Sequence, residues 1–257
     1  MTDRETSKTA FFVGYLSTPR PLAWFLAVVT VIMAGIGIGA GLALALGQQD
    51  PGKGRFAFDQ GYQSLSGVIQ AKPYPVLRLP ATEGKPARTI ALSGQGKRGQ
   101  IRKAAALDGQ KVDIGGIFIT RDGIEMLQVG GRVKLAPTKK PEALAEFEPA
   151  ADIPLGRHRL RGEIIDSKCY LGAMRPGRGK VHMACAGLCV MGGIPPMFVV
   201  YRAEGPADVL LLAGPDGGPI PESLLDQISL YVSLEGDVIK RDNQMIFMIN
   251  PNSMEVL

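Results

Sequence analysis

One uninterrupted apolar segment constrains this chain more than any other feature. Residues 22–47, LAWFLAVVTVIMAGIGIGAGLALALG, contain no charged residue over 26 positions. That length exceeds the roughly 20 residues with which a helix crosses the hydrocarbon layer of a membrane. A soluble domain of this size rarely buries such a helix on every side. We therefore predict a transmembrane helix over residues 22–47.

A cleaved signal peptide is the alternative for this segment. Ala43 and Ala45 provide a small-x-small pattern of the kind that precedes a cleavage site. The apolar region is longer than the usual 7 to 15 residues of a signal peptide, which favours an uncleaved anchor. Three basic residues precede the segment and two follow it closely. This small excess favours a cytoplasmic N-terminal segment 1–21 and extracytoplasmic domains after the helix.

Four glycines within the predicted helix indicate a possible contact besides the lipid bilayer. Gly35, Gly37, Gly39 and Gly41 form two overlapping small-xxx-small pairs, a spacing that lets two helix backbones approach closely. The pattern predicts a membrane or envelope protein partner, or a dimer. Glycine is also common in membrane helices that have no such partner, so this spacing leaves both interpretations open.

Composition argues against a nucleic-acid partner. The net charge is +5, but the 29 basic residues are interspersed with 24 acidic ones, which is typical of an ordinary charged surface. The aromatic residues Phe118, Tyr201, Tyr231 and Phe247 lie in alternating apolar runs. Core packing is the default role there, so we expect no stacking platform for bases.

The chain after residue 63 contains two similar segments. VDIGGIFITRDGIEMLQV, which ends at Val129, matches VSLEGDVIKRDNQMIFMI, which ends at Ile249, at an offset of 120. Each segment alternates apolar and polar residues around a two-residue Asp-Gly or Asp-Asn turn, which predicts a tight β-hairpin. Farther upstream the offset is 96, so the second copy has 24 extra residues.

Each copy predicts five strands with one short helix between the third and fourth. This pattern resembles the OB-fold, a small five-stranded barrel. The predicted class is therefore mainly β, with an N-terminal transmembrane helix and two OB-like barrels, the second of which carries an inserted helix. The predicted boundaries are a linker over 48–63, a first barrel over 64–135, a linker over 136–156, and a second barrel over 157–257 with its insertion at 171–209.

The insertion and the strand before it contain all three cysteines of the chain. His182, Cys185 and Cys189 are spaced three and four residues apart, so they share one face of a helix. Cys169 ends the preceding strand and can join them if the insertion folds back. Three thiols and one imidazole are the ligand types of a tetrahedral zinc or copper site. We predict Cys169, His182, Cys185 and Cys189 as metal ligands.

Two other interpretations of the cysteines stay open. An extracytoplasmic domain favours disulfides, and a bridge from Cys169 to Cys185 or Cys189 is easier than one within the helix, where the Cβ atoms are too far apart. A reactive thiol for redox chemistry is the third interpretation. Asp166 is expected to be a solvated carboxylate, and the basic segment 97–103 a solvated loop. No nucleophile–base pair is evident, so no catalytic residue is predicted.

The segments DSKCYLGAM, HMACAGLC and GGIPP together resemble a motif of membrane-anchored bacterial envelope proteins. The resemblance covers about 30 residues and implies that the four metal-ligand candidates act together, but it implies no particular activity. The predicted helix and its flanking charges separately lead us to expect a single-pass protein of the bacterial inner membrane with periplasmic C-terminal domains. We therefore expect an envelope accessory or assembly module for a membrane or redox complex. The alternative is a redox enzyme or electron-transfer subunit.

Overall fold

The computed structural model describes residues 18–47 and 54–257, which belong to two compact units, Met1–Asp50 and Pro51–Leu257. In the first unit, helix α1 spans Arg20–Gly47 and begins two residues before the predicted helix. Its 28 residues give a length of about 42 Å. Helix α1 is long and apolar enough to cross a membrane, a property that a signal sequence shares. Most of the predicted segment 1–21 lies outside the described residues.

Over residues 54–257, the second unit contains twelve strands and two short α-helices. Its elements in chain order are β1 (Arg55–Phe56), β2 (Gln63–Gln70), β3 (Val76–Leu79), β4 (Arg88–Ser93), α2 (Ile101–Ala105), β5 (Lys111–Arg121), β6 (Ile124–Val129), β7 (Ala136–Pro137), β8 (Ile153–Asp166), α3 (Met183–Met191), β9 (Pro196–Val200), β10 (Asp208–Ala213), β11 (Tyr231–Arg241) and β12 (Gln244–Val256). Strand β1 pairs with β5, so the segment predicted as a linker adds a short edge strand to the sheet.

Two closed five-stranded barrels share one strand order. The first barrel runs β2-β3-β4-β6-β5 and closes through the β5–β2 pairing, and the second runs β8-β9-β10-β12-β11 and closes in the same way. Counted along the chain, the third and fifth strands of each barrel pair in parallel: β4 with β6, and β10 with β12. The other neighbouring strands pair antiparallel. Helix α2 lies between the third and fourth strands of the first barrel, and a 3₁₀ segment, Glu222–Gln227, takes that place in the second. The predicted mainly β class with two small OB-like barrels is confirmed.

The barrels are joined by a shared apolar core. The side chains of strand β10 contribute alternately to two cores. Leu210 and Leu212 belong to the core of the second barrel, whereas Leu211 and Ala213 belong to a cluster between the barrels. Successive side chains of a strand point to opposite faces, so a continuous apolar run buries both faces. The cluster between the barrels comprises Tyr74, Val76, Ala91, Ile119 and Met126 from the first barrel and Ile165, Tyr170, Leu171, Met197, Val199, Leu211, Ala213 and Ile246 from the second.

The tip of each long hairpin contacts the opposite barrel. Asp242, in the β11–β12 turn, accepts hydrogen bonds from Arg78 Nη2 at 2.8 Å and from Thr89 Oγ1 at 2.7 Å. Arg121, at the end of β5, lies over the ring of Tyr170 with its guanidinium carbon 4.4 Å from the ring centre. These contacts and the shared core fix the position of one barrel against the other.

Candidate metal centre

The site begins where β8 ends. Asp166 is the last residue of β8, and one of its carboxylate oxygens accepts a hydrogen bond from the backbone N–H of Cys169 at 2.8 Å. The chain then makes a helical turn over Cys169–Ala173 that is interrupted at Gly172, whose φ of 135° is not helical. The carboxylate and this turn together direct Cys169 into the interior beside β8.

Helix α3 supplies the other two cysteines. It is preceded by a single 3₁₀ turn, Lys180–His182, and ends before a Gly-Gly pair. Cys185 and Cys189 are one helical turn apart and share a face, as the spacing predicts. Cys189 packs with Cys169 and Ile194 in a small cluster of its own.

The three sulfur atoms form one compact group. The Sγ atoms of Cys169, Cys185 and Cys189 all lie within 4.8 Å of one another. Cys169 and Cys189 are buried and Cys185 is half-buried, and all three are free thiols. The predicted disulfide is therefore not formed. Instead, the structure presents three thiols that face a common point, an arrangement suited to a metal ion.

His182 occupies a different position from the one that helix spacing alone suggests. It lies in a second group with Asp166 and Cys169, whose ligand atoms are also within 4.8 Å of one another. Its Nε2 atom is 2.9 Å from Asp166 Oδ2. Asp166 is completely buried, so the expectation of a solvated carboxylate is wrong. The carboxylate orients the imidazole and the Cys169 backbone at the same time.

The first barrel contributes a lysine to the thiol group. Lys97, in the loop after β4, places its Nζ atom 2.7 Å from Cys185 Sγ and 3.6 Å from Cys189 Sγ. The same ammonium donates to the backbone carbonyl of Cys185 at 3.1 Å. The expectation that segment 97–103 is only a solvated loop is therefore wrong at Lys97. The cluster lies between two barrels and needs both of them.

Two features hold the Lys97 loop against the inserted helix. Lys168 donates from Nζ to the carbonyls of Gly94 and Gly96, both at 2.7 Å. The backbones also touch directly, since a Cβ added at Gly99 would lie 1.8 Å from the carbonyl oxygen of Gly193. Only glycine allows this close approach. The loop is thus positioned by a buried lysine and by contact between glycine backbones.

Electrostatics shift the pKa values of Cys189 and Cys169 in opposite directions. The hydrogen bond from the Cys169 thiol, helped by Lys97, lowers the pKa of Cys189 to about 7 from its ordinary 9.0. The same hydrogen bond, together with burial, raises the pKa of Cys169. Contact with Cys185 raises the pKa of Lys97. In the metal-free protein Cys189 therefore loses its proton before Cys169, and Lys97 stays charged beside it.

We expect the first thiolate of the metal-free protein to form with a midpoint near pH 7. Replacing Lys97 with methionine removes the neighbouring cation and should move this midpoint upward by about 1 pH unit. Thiolate absorbance in the ultraviolet, followed against pH, measures the shift. Lys103→Met is the matched control because Lys103 is exposed and makes no recorded contact with the thiols. An equal shift in both variants would contradict the assignment to Lys97.

Three methionines of the insertion and the other histidine of the chain lie outside the cluster or at its edge. Met174 Sδ lies 3.6 Å from Cys185 Sγ, whereas Met197 belongs to the core between the barrels and Met191 is exposed. His158 is on the surface. Sequence reasoning missed Lys97 and Lys168 as parts of the site. The glycine-rich GQGKRG is a signal that could have indicated a close backbone approach, although it does not identify the second barrel as the neighbour.

Comparisons with protein families, with curated proteins and with solved structures find no match to this chain. The chemistry of the site is therefore inferred from the geometry of its own residues.

Proposed function

We propose that this chain is a membrane-anchored accessory module that holds one thiophilic metal ion, zinc or copper, between its two barrels. The observation that supports this most is the spacing of Cys169, Cys185 and Cys189, whose sulfur atoms lie within 4.8 Å of one another without a disulfide. Tetrahedral ligands about 2.3 Å from a common ion lie about 3.8 Å apart. Only small side-chain movements separate the three thiols from that geometry.

His182 is the proposed fourth ligand. Its Nε2 atom lies 2.9 Å from Asp166 Oδ2, and in the proposed site the tautomer that donates from Nε2–H to this oxygen is the one bound. In a neutral imidazole the lone pair is then on Nδ1, the atom that would bind the ion. Carboxylate–histidine pairs of this kind fix the tautomer of metal-binding histidines and raise their basicity. Asp166 would therefore act on the ion through His182.

The positive charge of Lys97 also supports the proposed metal site. Three thiolates and one zinc ion carry one net negative charge, which is costly in a partly buried place. The Lys97 ammonium, 2.7 Å from Cys185 Sγ, would offset that charge and donate a hydrogen bond to a metal-bound sulfur. Hydrogen bonds to ligand atoms tune metal sites in this way.

Exposed apolar side chains on and next to α3 support an accessory role. Val181, in the 3₁₀ turn before α3, is 87% exposed, and Leu188 and Met191 of α3 are 54% and 66% exposed. Exposed apolar patches often mark contacts with other proteins. A membrane or envelope protein could dock on these side chains with the metal centre beside it. Gly35, Gly37, Gly39 and Gly41 of α1 are the proposed packing surface for such a partner in the membrane.

The membrane placement is part of the proposal. Helix α1 has the length and apolar character of a membrane span, and the small excess of basic residues before it favours a cytoplasmic N-terminus. The two barrels would then lie in the periplasm of a bacterial cell. The lipid bilayer is accordingly the proposed surroundings of α1.

A second candidate function is thiol–disulfide exchange, which the low pKa of Cys189 favours. The Cys189 thiolate would attack a disulfide of a partner protein and release one partner thiol. Cys169 would then displace the second partner thiol, so that an internal Cys169–Cys189 disulfide forms as the partner gains two electrons and two protons. This candidate predicts an oxidised state with one free cysteine and no metal.

Purification of the full-length protein without chelators separates the two candidates. The metal proposal predicts about one equivalent of zinc or copper per chain and three reactive thiols after chelation under denaturing conditions. Thiol exchange predicts metal content near zero and, in the oxidised protein, a single reactive thiol. Metal near zero together with two oxidised cysteines would overturn the metal proposal.

A further inference from the structure

A cavity of about 630 Å³ lies beside the first barrel, on the side of the Lys97 loop where Arg98 is found. It is lined by the loop around Arg98, by helix α2 and by the segment after β6. Gly192, at the end of α3, also contributes to its wall. Its volume falls in the range of sites for small molecules, about 300 to 1,000 Å³.

The charged side chains around this cavity are all basic. They are Arg98, Arg102, Lys103 and Lys134, and no aspartate or glutamate lines the cavity. Within the part of the chain that the structure describes, none of the four forms an ion pair. Ion pairs are nevertheless common elsewhere on this surface, as between Arg157 and Asp237.

The absence of acidic residues extends through every chain segment that meets here. Residues 84–107, 126–141 and 167–203 contain no aspartate or glutamate. The 24 acidic residues of the chain are thus confined to other segments. A concave surface with charges of one sign focuses the electrostatic field and raises the local concentration of counter-ions.

We propose that this cavity binds a phosphate-bearing anion. The guanidinium groups of Arg98 and Arg102 can each offer two parallel N–H donors to a phosphate, and Lys103 and Lys134 add charge. The phosphate can belong to a lipid headgroup or to a soluble molecule. Nucleic acid is disfavoured because no aromatic side chain lines the cavity on which a base could stack.

This inference is independent of the proposed metal centre. Lys97 points to the thiols, whereas its neighbour Arg98 lines the cavity. The loop after β4 therefore directs one cation, Lys97, to the thiols and the next, Arg98, to the cavity. Loss of anion binding with unchanged metal content would leave the metal proposal intact, and the reverse result would leave the anion proposal intact.

The test is calorimetric titration of the full-length protein in a neutral detergent. Three soluble probes are compared: inorganic pyrophosphate, a short-chain phosphatidylglycerol and a short-chain phosphatidylcholine. We expect pyrophosphate or phosphatidylglycerol to bind with a Kd below about 1 mM, more weakly at high salt. Binding of pyrophosphate identifies a soluble phosphate as sufficient, and binding of phosphatidylglycerol alone identifies a lipid headgroup.

Matched variants decide whether the cavity is responsible. Arg98→Gln with Arg102→Gln should raise the Kd by about 30-fold. Lys85→Gln with Arg132→Gln removes the same charge at exposed positions that do not line the cavity and should change the Kd by less than about threefold. No binding of any anionic probe, equal losses in both double variants, or preferential binding of a single-stranded oligonucleotide would overturn the proposal.

Discussion

Replacing Cys189 with serine is expected to lower the metal affinity of the protein by more than about 100-fold. The substitution removes a thiolate from the first coordination shell, where the loss exceeds the 10- to 100-fold typical of residues that only support a ligand. The pKa of the Cys189 thiol is also lowered to about 7, which favours loss of its proton to the metal. Competition with a coloured chelator measures the affinity.

A second readout follows from linkage between binding and folding. A ligand at 100 times its Kd stabilises the native state by about 2.7 kcal/mol, so metal should raise the melting temperature of the wild type and not of Cys189→Ser. Met191→Leu is the control, since it changes another sulfur of α3 that is 66% exposed. A Cys189→Ser protein that folds and still holds one equivalent of metal would contradict the assignment of Cys189 as a ligand.

Replacing Arg78 with methionine is expected to destabilise the two-barrel unit by about 3–5 kcal/mol. Both side chains of the Arg78–Asp242 pair are only 6% exposed, and the pair joins one barrel to the other. Removal of Arg78 leaves the Asp242 carboxylate buried with Thr89 as its remaining side-chain donor. A buried charge without its partner is much more costly than a missing surface pair. Urea denaturation of the full-length protein in detergent measures the loss.

The pH dependence of this pair has a definite sign. Burial raises the pKa of Asp242, but hydrogen bonds from Arg78 and Thr89 outweigh burial and leave that pKa below its ordinary 3.8. A folded-state pKa below the unfolded value means that the pair contributes its full stability at neutral pH and loses it as the pH falls through the folded-state pKa. The difference between wild type and Arg78→Met should therefore shrink in strong acid.

Arg157→Met is the matched control for Arg78→Met. Its ion pair with Asp237 is exposed, at 69% and 48% for the two side chains, and such pairs contribute about 1 kcal/mol or less. Similar losses in the two variants would contradict the view that Arg78 and Asp242 lock the barrels together.

The barrels could be predicted from the sequence because their determinants are local. Alternating apolar positions and a positive-φ residue at the turn, Asp122 in one hairpin and Asp242 in the other, are sufficient to specify a tight hairpin. The helical spacing of Cys185 and Cys189 likewise placed both thiols on one face. The apolar character of 22–47 indicated a membrane-spanning helix for the same reason.

The environment of the thiols could not be predicted because it depends on contacts between distant segments. Lys97 and Cys185 are 88 positions apart, and only the packing of one barrel on the other brings them together. Asp166 looked like a strand-end carboxylate, and its burial follows from the return of the insertion over the end of β8. A continuous apolar strand such as β10 is typical of a strand that is buried on both faces. The sequence does not show that the first barrel covers the outer face of β10.

X-ray absorption at the edge of the bound metal, on full-length protein purified without chelator, tests the central claim most directly. For zinc, the account predicts a shell of three sulfur atoms at about 2.3 Å and one nitrogen at about 2.0 Å, from Cys169, Cys185, Cys189 and His182. A shell of only nitrogen and oxygen atoms would contradict it, because the metal would then be bound somewhere other than the three thiols.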